Sequence, residues 1–494
     1  MKKTLFILLS LTLLWSTTLL TACQKQPPTT DAPQETDSAM PEANTADILG
    51  FDRQNYNTEF KILLNSATAV SKKDFFTEEG ATDLVSVATY DRNLACEEYL
   101  GIFITYFPEA ANWNSGIAEK LYNLVATGTC DYDLLAIALN AGVTGGYIDI
   151  YQNVMQMEYI EPTHTWWVQD VIDHVSLNNQ LYFLTGDASV SAYAYIGCVF
   201  ANLEVADNYR LDVDFYDLVK SGNWTLEEFY RLYKLVGEDL NNDGVYDPAT
   251  ETFGWANHDI GTRLMWSSCD MQLIERQADG TFALRSGLDD RILTFIAAMK
   301  NELDNPLSNH IYAEQTNAEA FVGDRVLFVT SMLSMAQNLK ANNIESPFAF
   351  LPLPKYNAEQ TDYISTNMPA YNAFFFPSTM EKPDISAQVA EFMGWYGQEY
   401  IIPSYYDQTL KYRQNDAEAN IEMLDLIRNK LRVTPNELYG IIGVSQSENV
   451  MILTQTIPTN LSENGFYSTP VSVWQTQYPT LSNQIASYVL KYYQ

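Results

Sequence analysis

From about residue 58 the apolar positions fall into short solid runs separated by stretches with a helical period, a pattern that predicts strands and helices in alternation. Phe60-Lys61-Ile62-Leu63-Leu64 reads as the first strand, which leaves its sheet at Asn65-Ser66-Ala67. A helix follows, with Leu84, Val85, Ala88, Leu94 and Tyr99 as its buried side, and Ile102 to Tyr106 is the next strand. Leu121 to Ala126 ends a second helix, and Tyr132 to Ala138 is an apolar strand running into Asn140 and Gly142. Strand, helix, strand, helix, strand is the order of an α/β lobe with a largely parallel sheet. Ligands of such sheets sit beyond the carboxyl ends of the strands. Asn65, Ser66 and Asn140 are therefore expected on one wall of a site.

The best-marked helix begins at Trp224-Thr225-Leu226-Glu227-Glu228-Phe229. Thr225 can cap the Glu228 amide while the Glu228 side chain reaches back, and Trp224 can staple onto Phe229. Packing therefore accounts for Trp224 without a ligand. The helix runs into Asp239-Leu240-Asn241-Asn242-Asp243-Gly244-Val245-Tyr246-Asp247, the opening of an EF-hand-type calcium loop. Oxygen ligands stand at positions 1, 3, 5 and 9, with Gly at 6 for the tight turn. The expected ligand set is Asp239, Asn241, Asp243, the Val245 carbonyl, Asp247 and Glu251, the last standing one residue beyond the place of the usual bidentate Glu. A structural Ca2+ is the cofactor this implies.

Farther along, Ala318 to Leu327 predicts a helix leading into a strand at Val326-Leu327-Phe328-Val329. Phe348 to Lys355 carries prolines that suit a strand leaving one lobe, not a central position. Ala373 to Pro377 is another apolar strand, and from Ile385 the pattern is mostly helical.

The amino-terminal segment is of another kind. Lys2 and Lys3 precede an apolar run from Leu5 to Trp15 that is too short to span a bilayer, which is the form of a signal peptide. Leu20-Thr21-Ala22-Cys23 resembles a lipoprotein cleavage box, so residues 1–22 are expected to be removed and Cys23 to be acylated. The Pro-, Thr- and Gln-rich stretch that follows, to about residue 57, is expected to be a disordered tether. Later segments lack the ~18 consecutive apolar residues of a spanning helix, so the acyl chains are the expected anchor.

Without Lys2 and Lys3 the 28 basic residues fall to 26 against 62 acidic, and the net charge moves from −34 to −36. Such a chain repels phosphate backbones and is not expected to bind nucleic acid. Tyr (32) and Trp (9) are abundant enough to supply both a core and stacking faces for sugar rings. Cys96, Cys130, Cys198 and Cys269 form no metal spacing and read as small buried residues. His164, His174, His258 and His310 are scattered without ligand spacing.

Several short motifs, in order, resemble the sugar-type extracellular solute-binding proteins of ABC importers, related in plan to maltose-binding protein. They are Tyr90-Asp91-Arg92-Asn93, Tyr132-Asp133-Leu134, Trp166-Trp167, Gly222-Asn223-Trp224-Thr225 with the Asp239 to Asp247 loop, Phe321 with Gly323, Leu351 to Tyr356, and Met423-Leu424-Asp425. The resemblance implies a two-lobed periplasmic-binding-protein-like fold, each lobe a mainly parallel sheet flanked by helices, joined by crossing hinge strands. Lobe one would be 58–187 plus 356–400, and lobe two 188–355 plus 401–494. Hinges would lie near Gly186-Asp187 and Leu353 to Lys355. Asn65, Ser66, Asn140, Asp187, Tyr193 and Tyr195 would face the solute, although Ala201-Asn202-Leu203 departs from the family's Asn-Lys after that strand. Ser331 stands where maltose-binding protein has an aromatic wall. Trp255, Asp259, Trp266, Tyr371 and Tyr405 complete the candidates.

The function implied is capture of a carbohydrate, an oligosaccharide by expectation, and its delivery to ABC permease subunits by a monomer tethered to the extracellular face of the cell membrane. Two other classes fit parts of the sequence, a secreted glycan-degrading enzyme and a glycan-capture surface lipoprotein without a transporter. Among 62 acidic residues, carboxylate pairs at glycosidase spacing arise by chance. No G-x-S-x-G, H-E-x-x-H or phosphate loop is present, so a non-enzyme is expected.

Overall fold

The computed structural model describes residues 45–112, 116–244, 246–247, 249–257, 260–310, 314–410, 417–439 and 463–491. The signal segment, Cys23 and most of the expected tether lie outside these residues. The structured region begins before the expected boundary at residue 58. Thr45–Leu49 is helical, Leu49 and Phe51 are buried, and the Tyr99 hydroxyl donates to the Phe51 carbonyl at 2.9 Å. Two apolar side chains within five residues suffice to dock this stretch on the domain.

Strands β1 (Thr58–Asn65), β2 (Ile102–Glu109), β3 (Leu134–Ala138) and β12 (Asn372–Phe375) form the first sheet, in the order β12-β3-β1-β2. The second sheet holds β11 (Phe348–Leu351), β4 (Gly197–Asn202), β10 (Val326–Met332), β6 (Thr252–Asn257) and β5 (Gly237–Glu238) in that order, with β9 (Ser308–His310) also on β6. A separate hairpin joins β7 (Ile274–Arg276) to β8 (Phe282–Leu284). In the first sheet β1 runs parallel to β2 and β3, and β12 is antiparallel. The second sheet is more mixed than expected, since β4 is antiparallel to both β10 and β11. The reason is topological: β4 and β12 are the strands by which the chain enters a sheet from the other lobe. Among the described residues no helix is long and apolar enough to cross a membrane.

The Leu84–Leu100 helix corrects the expected buried face. Leu84 and Leu94 are exposed, and the inward side is Val85, Ser86, Thr89, Arg92, Cys96 and Tyr99. Arg92 is wholly buried because carbonyl acceptors await it, Ala188 at 2.9 Å and Asp74 at 2.8 Å. Trp224 is buried as expected, its Nε1 donating to the Pro352 carbonyl at 2.8 Å and its ring 5.8 Å from Phe229. Thr225 caps the Glu228 amide at 3.4 Å, but the Glu228 carboxylate turns to Arg231 at 2.7 and 2.8 Å instead of reaching back. The bidentate guanidinium outcompetes a single amide. Trp166 and Trp167 both donate to buried Glu391, at 2.8 and 3.1 Å. Cys96, Cys130, Cys198 and Cys269 are buried and free.

The chain crosses between the sheets at 184–196 and again at 352–371. Leu353 to Lys355 belongs to the second lobe, where Lys355 bonds through its backbone to Trp224 and Leu226. The second crossing proper is Ser365 to Met368, where Gly197 N–H donates to the Thr366 carbonyl and Met368 N–H to that of Tyr195.

Asp74 fastens the first crossing to the first sheet. Its carboxylate accepts from Ser189 Oγ at 2.8 Å, Ser191 N–H at 2.9 Å, Asn372 Nδ2 at 2.8 Å and the Ser191 hydroxyl. Burial pushes this carboxyl up to about 6, against the downward pull of the bonds from Ser191, Ser189 and Asn372. A folded-state value above the unfolded one gives stability that is full below the unfolded value near 3.8 and is lost as pH rises through about 6. Asp74→Asn removes this titration and sets an NH2 group against a donor. The substitution should destabilise by roughly 1–3 kcal/mol at pH 4. The gap should narrow by pH 7, and urea melts of both proteins across pH 4–7 measure it; a gap independent of pH would contradict the assignment.

Candidate functional site

The carboxyl edges of both sheets adjoin the crossings, and buried polar groups collect there. From the first lobe come Asn140, two residues past the end of β3 in the Leu139–Val143 helix, Thr185, and Tyr371 just ahead of β12. Among the described residues the Asn140 Oδ1 and Thr185 Oγ1 atoms have no well-aligned hydrogen-bond partner, and neither do Ser365 Oγ and Thr366 Oγ1 on the crossing itself. The Tyr371 hydroxyl lies beside Thr185 and Asn367 but makes no well-aligned bond. From the second lobe come Asn257 at the end of β6 and Ser331 near the end of β10, with unpartnered Oδ1 and Oγ atoms. Arg263 and Ser267 add to them from the Gly261–Ser268 helix, and Glu437 from the Pro435–Tyr439 helix.

Arg263 and Glu437 bring the second lobe to the crossing. The Arg263 guanidinium touches the Met368 sulfur, and Glu437 acts electrostatically on Tyr371. Burial raises the Glu437 carboxyl above its ordinary value, opposed by the Ser267 hydroxyl and the Arg263 charge. Locally Glu437 is the acid of a Thr434-Pro435-Asn436-Glu437 capping box, accepting the Thr434 N–H at 2.9 Å. One oxygen serves the cap and the other Ser267, so this charge is held rigidly. The result is a lining of neutral polar groups with the opposite charges of Arg263 and Glu437 near each other, suited to hydroxyl groups that both donate and accept.

The sequence-derived candidates divide. Asn140, Tyr371 and Ser331 lie at this joint with free polar atoms. Asn65 lies at the right edge, but its amide is used within the protein: it donates to Asn372 at 2.9 Å and accepts from Ala67 and Ala111 at 3.0 and 3.2 Å. Ser66 is half-buried, its N–H on the Glu109 carbonyl. Tyr195 places its hydroxyl 3.3 Å from Thr68. Asp187 takes Tyr193, Gln398 at 3.1 Å and Arg428 at 3.3 Å, a hinge cluster in which burial raises the carboxyl against the opposing Arg428 charge. Trp255 is in the second-lobe core, donating to Thr330 at 2.9 Å with Phe229 5.2 Å away. Trp266 is packed on Phe295 and Phe466, and Tyr405 is buried beside Tyr406. Asp259 lies outside the described residues. Thr185, Arg263, Asn367 and Glu437 were not among the candidates. Only Glu437 had a local signal, its capping box.

In the calcium-type loop, Asp239 accepts the Gly244 amide at 2.8 Å, Asn241 that of Asp243 at 2.8 Å, and Asp247 that of Ala249 at 2.8 Å. Glu251, only 1% exposed, turns its carboxylate onto the Asn241 and Asp247 amides at 3.3 and 3.0 Å. Val245 lies outside the described residues. Among the described residues no three His, Cys, Asp or Glu side chains converge as a preformed metal cage. A depression of about 250 Å³ lies at the opposite edge of the first sheet, where Lys61 pairs with Asp131 and Lys382 with Asp133.

No protein-family model and no curated protein matches the chain. Solved structures do. The apo form of RafE from Streptococcus pneumoniae aligns with a TM-score of 0.51 at 12% identity, over 90% of this chain and all of that one. A cyclo/maltodextrin-binding protein complexed with maltotetraose gives 0.51 at 12%, over 88% of this chain and 97% of that one. An ABC transporter solute-binding protein from Thermotoga lettingae bound with α-D-tagatose gives 0.51 at 11%, over 87% and 99%. The chain has the two-lobed α/β fold of these solute-binding proteins.

If the Tyr371 hydroxyl is held in reserve for a ligand, Tyr371→Phe should leave the melting temperature within about 2 °C of the parent. A fall of more than about 5 °C in a calorimetric scan would show that the protein itself uses the hydroxyl.

Proposed function

We propose that the protein is a lipid-anchored extracellular receptor that captures a carbohydrate in the joint between its lobes and delivers it to an ABC importer. One observation carries the reading: buried polar atoms without partners converge from both lobes on the crossings, in a fold whose similar solved structures are solute-binding proteins. Buried polar groups left unmade cost about 1–3 kcal/mol each, so a site that keeps several is one that a polar ligand completes. The Glu437 carboxylate is committed to Ser267 and to the Thr434 cap, and the reading adopted is binding without turnover. Anchoring through Cys23 rests on the lipobox-like sequence and would raise the local concentration of receptor at the permease.

Titration of intrinsic fluorescence with a panel of neutral mono- and oligosaccharides should give one saturable change without product, together with a more compact scattering profile. Tyr371→Phe should weaken that binding by about tenfold, the equivalent of 1.4 kcal/mol. Release of a cleaved glycan would overturn the reading.

Ca2+ in the Asp239–Glu251 loop belongs to the same proposal. Asp239, Asn241, Asp243, Asp247 and Glu251 would supply the oxygens, and the ion would brace the segment between the Leu226–Tyr233 helix and β6. A ligand of the native state raises stability by mass action. A chelator should therefore lower the melting temperature and added Ca2+ should restore it; a melting temperature indifferent to both would sink the ion.

A further inference from the structure

A seam between the lobes lies away from the polar joint. On the first-lobe side stand the Gln169–Val175 helix and the 146–149 turn. Trp166 and Trp167 tie the helix to Glu391, and Val168 N–H bonds the Thr185 carbonyl. On the other side, the β7–β8 hairpin is fixed to the Pro435–Tyr439 helix through Asn436, which accepts from Leu273 and Ile274 at 3.0 and 2.8 Å. These elements continue the second lobe, because Asn420 of the Ala417–Asn429 helix pairs with the backbone of edge strand β11, accepting from Phe350 at 2.9 Å and donating to Phe348 at 3.1 Å.

Among the described residues, the donors Arg276, Val433 and Lys491 all stand on the second-lobe side of the seam. Arg276 reaches two carbonyls at the carboxyl end of the Gln169–Val175 helix, His174 at 3.0 Å and Ser176 at 2.9 Å. The Val433 amide donates to Asp170 at 2.9 Å, and Arg432, which pairs with Asp270 of its own lobe at 3.4 Å, acts on the same Asp170 carboxylate electrostatically. Lys491, just past the Pro470–Leu490 helix, donates to the Gly146 carbonyl and lies 3.4 Å from Asp149. The acceptors are carboxylates and the negative end of a helix, the polarity that attracts a cation. In a chain with 28 basic residues against 62 acidic, three cations on one side of one seam make a strongly polarised contact. The Arg276 guanidinium is also set in place beforehand, stacked 4.7 Å over the Phe282 ring of the paired strand.

We propose that Arg276, Arg432, Lys491 and the Val433 amide form an electrostatic clasp that holds the two lobes together and sets the balance between open and closed forms. The proposal rests on the reading that the lobes open and close about a solute. The Arg276 contacts are exposed and those of Val433 and Lys491 only part-buried, so each is weak alone, but together they shift a two-state balance by about tenfold. A clasp of this polarity weakens with salt, because the screening length falls from about 10 Å at 0.1 M towards about 3 Å at 1 M, the scale of the contacts themselves.

The test needs no solute. Small-angle scattering and hydrogen–deuterium exchange compare the protein with the Arg276→Ala/Lys491→Ala variant and with Arg276→Glu. Both variants should be more extended, Arg276→Glu the more so, with faster exchange confined to 146–149 and 170–176 and the sheet strands unchanged. Raising NaCl from about 0.02 to about 0.5 M should move the parent protein the same way. Scattering and exchange identical in all three proteins would overturn the clasp, and so would loosening that spreads through both sheets. Failure of the sugar titration leaves this outcome untouched, and an inert seam leaves solute capture standing.

Discussion

The buried carboxylate of Asp74 is the interaction on which the arrangement of the lobes depends. It collects donors from Ser189 and Ser191 on the first crossing and from Asn372 at the head of β12. Asn372 in turn accepts from Asn65 at the end of β1, so one chain of hydrogen bonds runs from the first strand to the crossing. An unpaired charge so deep would cost far more than it returns; four donors make it tolerable and direct it. Two glycines complete the constraint. A Cβ at Gly186 would lie 1.9 Å from the Trp166 carbonyl oxygen, and one at Gly397 would lie 2.0 Å from that of Asp187. The first crossing is thus pinned on both flanks by contacts that no larger residue permits.

Pinning the crossings sets the geometry of the joint. Each lobe receives one strand from the other, β4 or β12, and each of these runs antiparallel to the strands it joins. The carboxyl ends of the parallel strands then meet at the crossings, which is where Asn140, Asn257 and Ser331 lie. Other buried polar atoms also lack partners, Thr89 and Tyr106 in the first-lobe core among them. An orphaned atom therefore does not mark a site by itself. What distinguishes the joint is convergence, since Arg263 and Glu437 of one lobe meet Met368 and Tyr371 of the crossing and the other lobe.

Features written in short-range pattern were legible in the sequence. The strands β1, β3, β10 and β12 appear within a few residues of their expected positions, and so does the capped helix behind Trp224, because apolar runs and caps are local properties. The place of Asn65 and Asn140 at strand ends was equally legible. Their different fates were not, because Asn65 is consumed by Asn372, 307 residues away. The same limit explains the Leu84–Leu100 helix. Apolar period turned Leu84 and Leu94 inward, whereas the actual inward face carries Arg92, whose acceptors come from Asp74 and from Ala188 on the crossing. A charged residue is buried only where partners await it, and partners brought by topology leave no trace in the local pattern.

The aromatic excess, the most suggestive feature of the composition, belongs largely to packing. Trp224, Phe229, Trp255 and Phe328 form one cluster over the second sheet, with ring centroids between 5.1 and 5.8 Å apart. Trp166 and Trp167 anchor Glu391, and Trp266 fills the space between Phe295 and Phe466. Each of these indoles contributes buried area and, in the first two cases, a directed N–H, which together explain it without a stacked sugar. The case for a carbohydrate therefore moves from ring faces to hydroxyl recognition. Asn140, Thr185, Ser331, Thr366 and Tyr371 can each donate or accept, and the opposite charges of Arg263 and Glu437 offset each other. Under the proposed reading such a lining would penalise an ionic ligand, whose charge would lack a counterion, and would suit a neutral polyol.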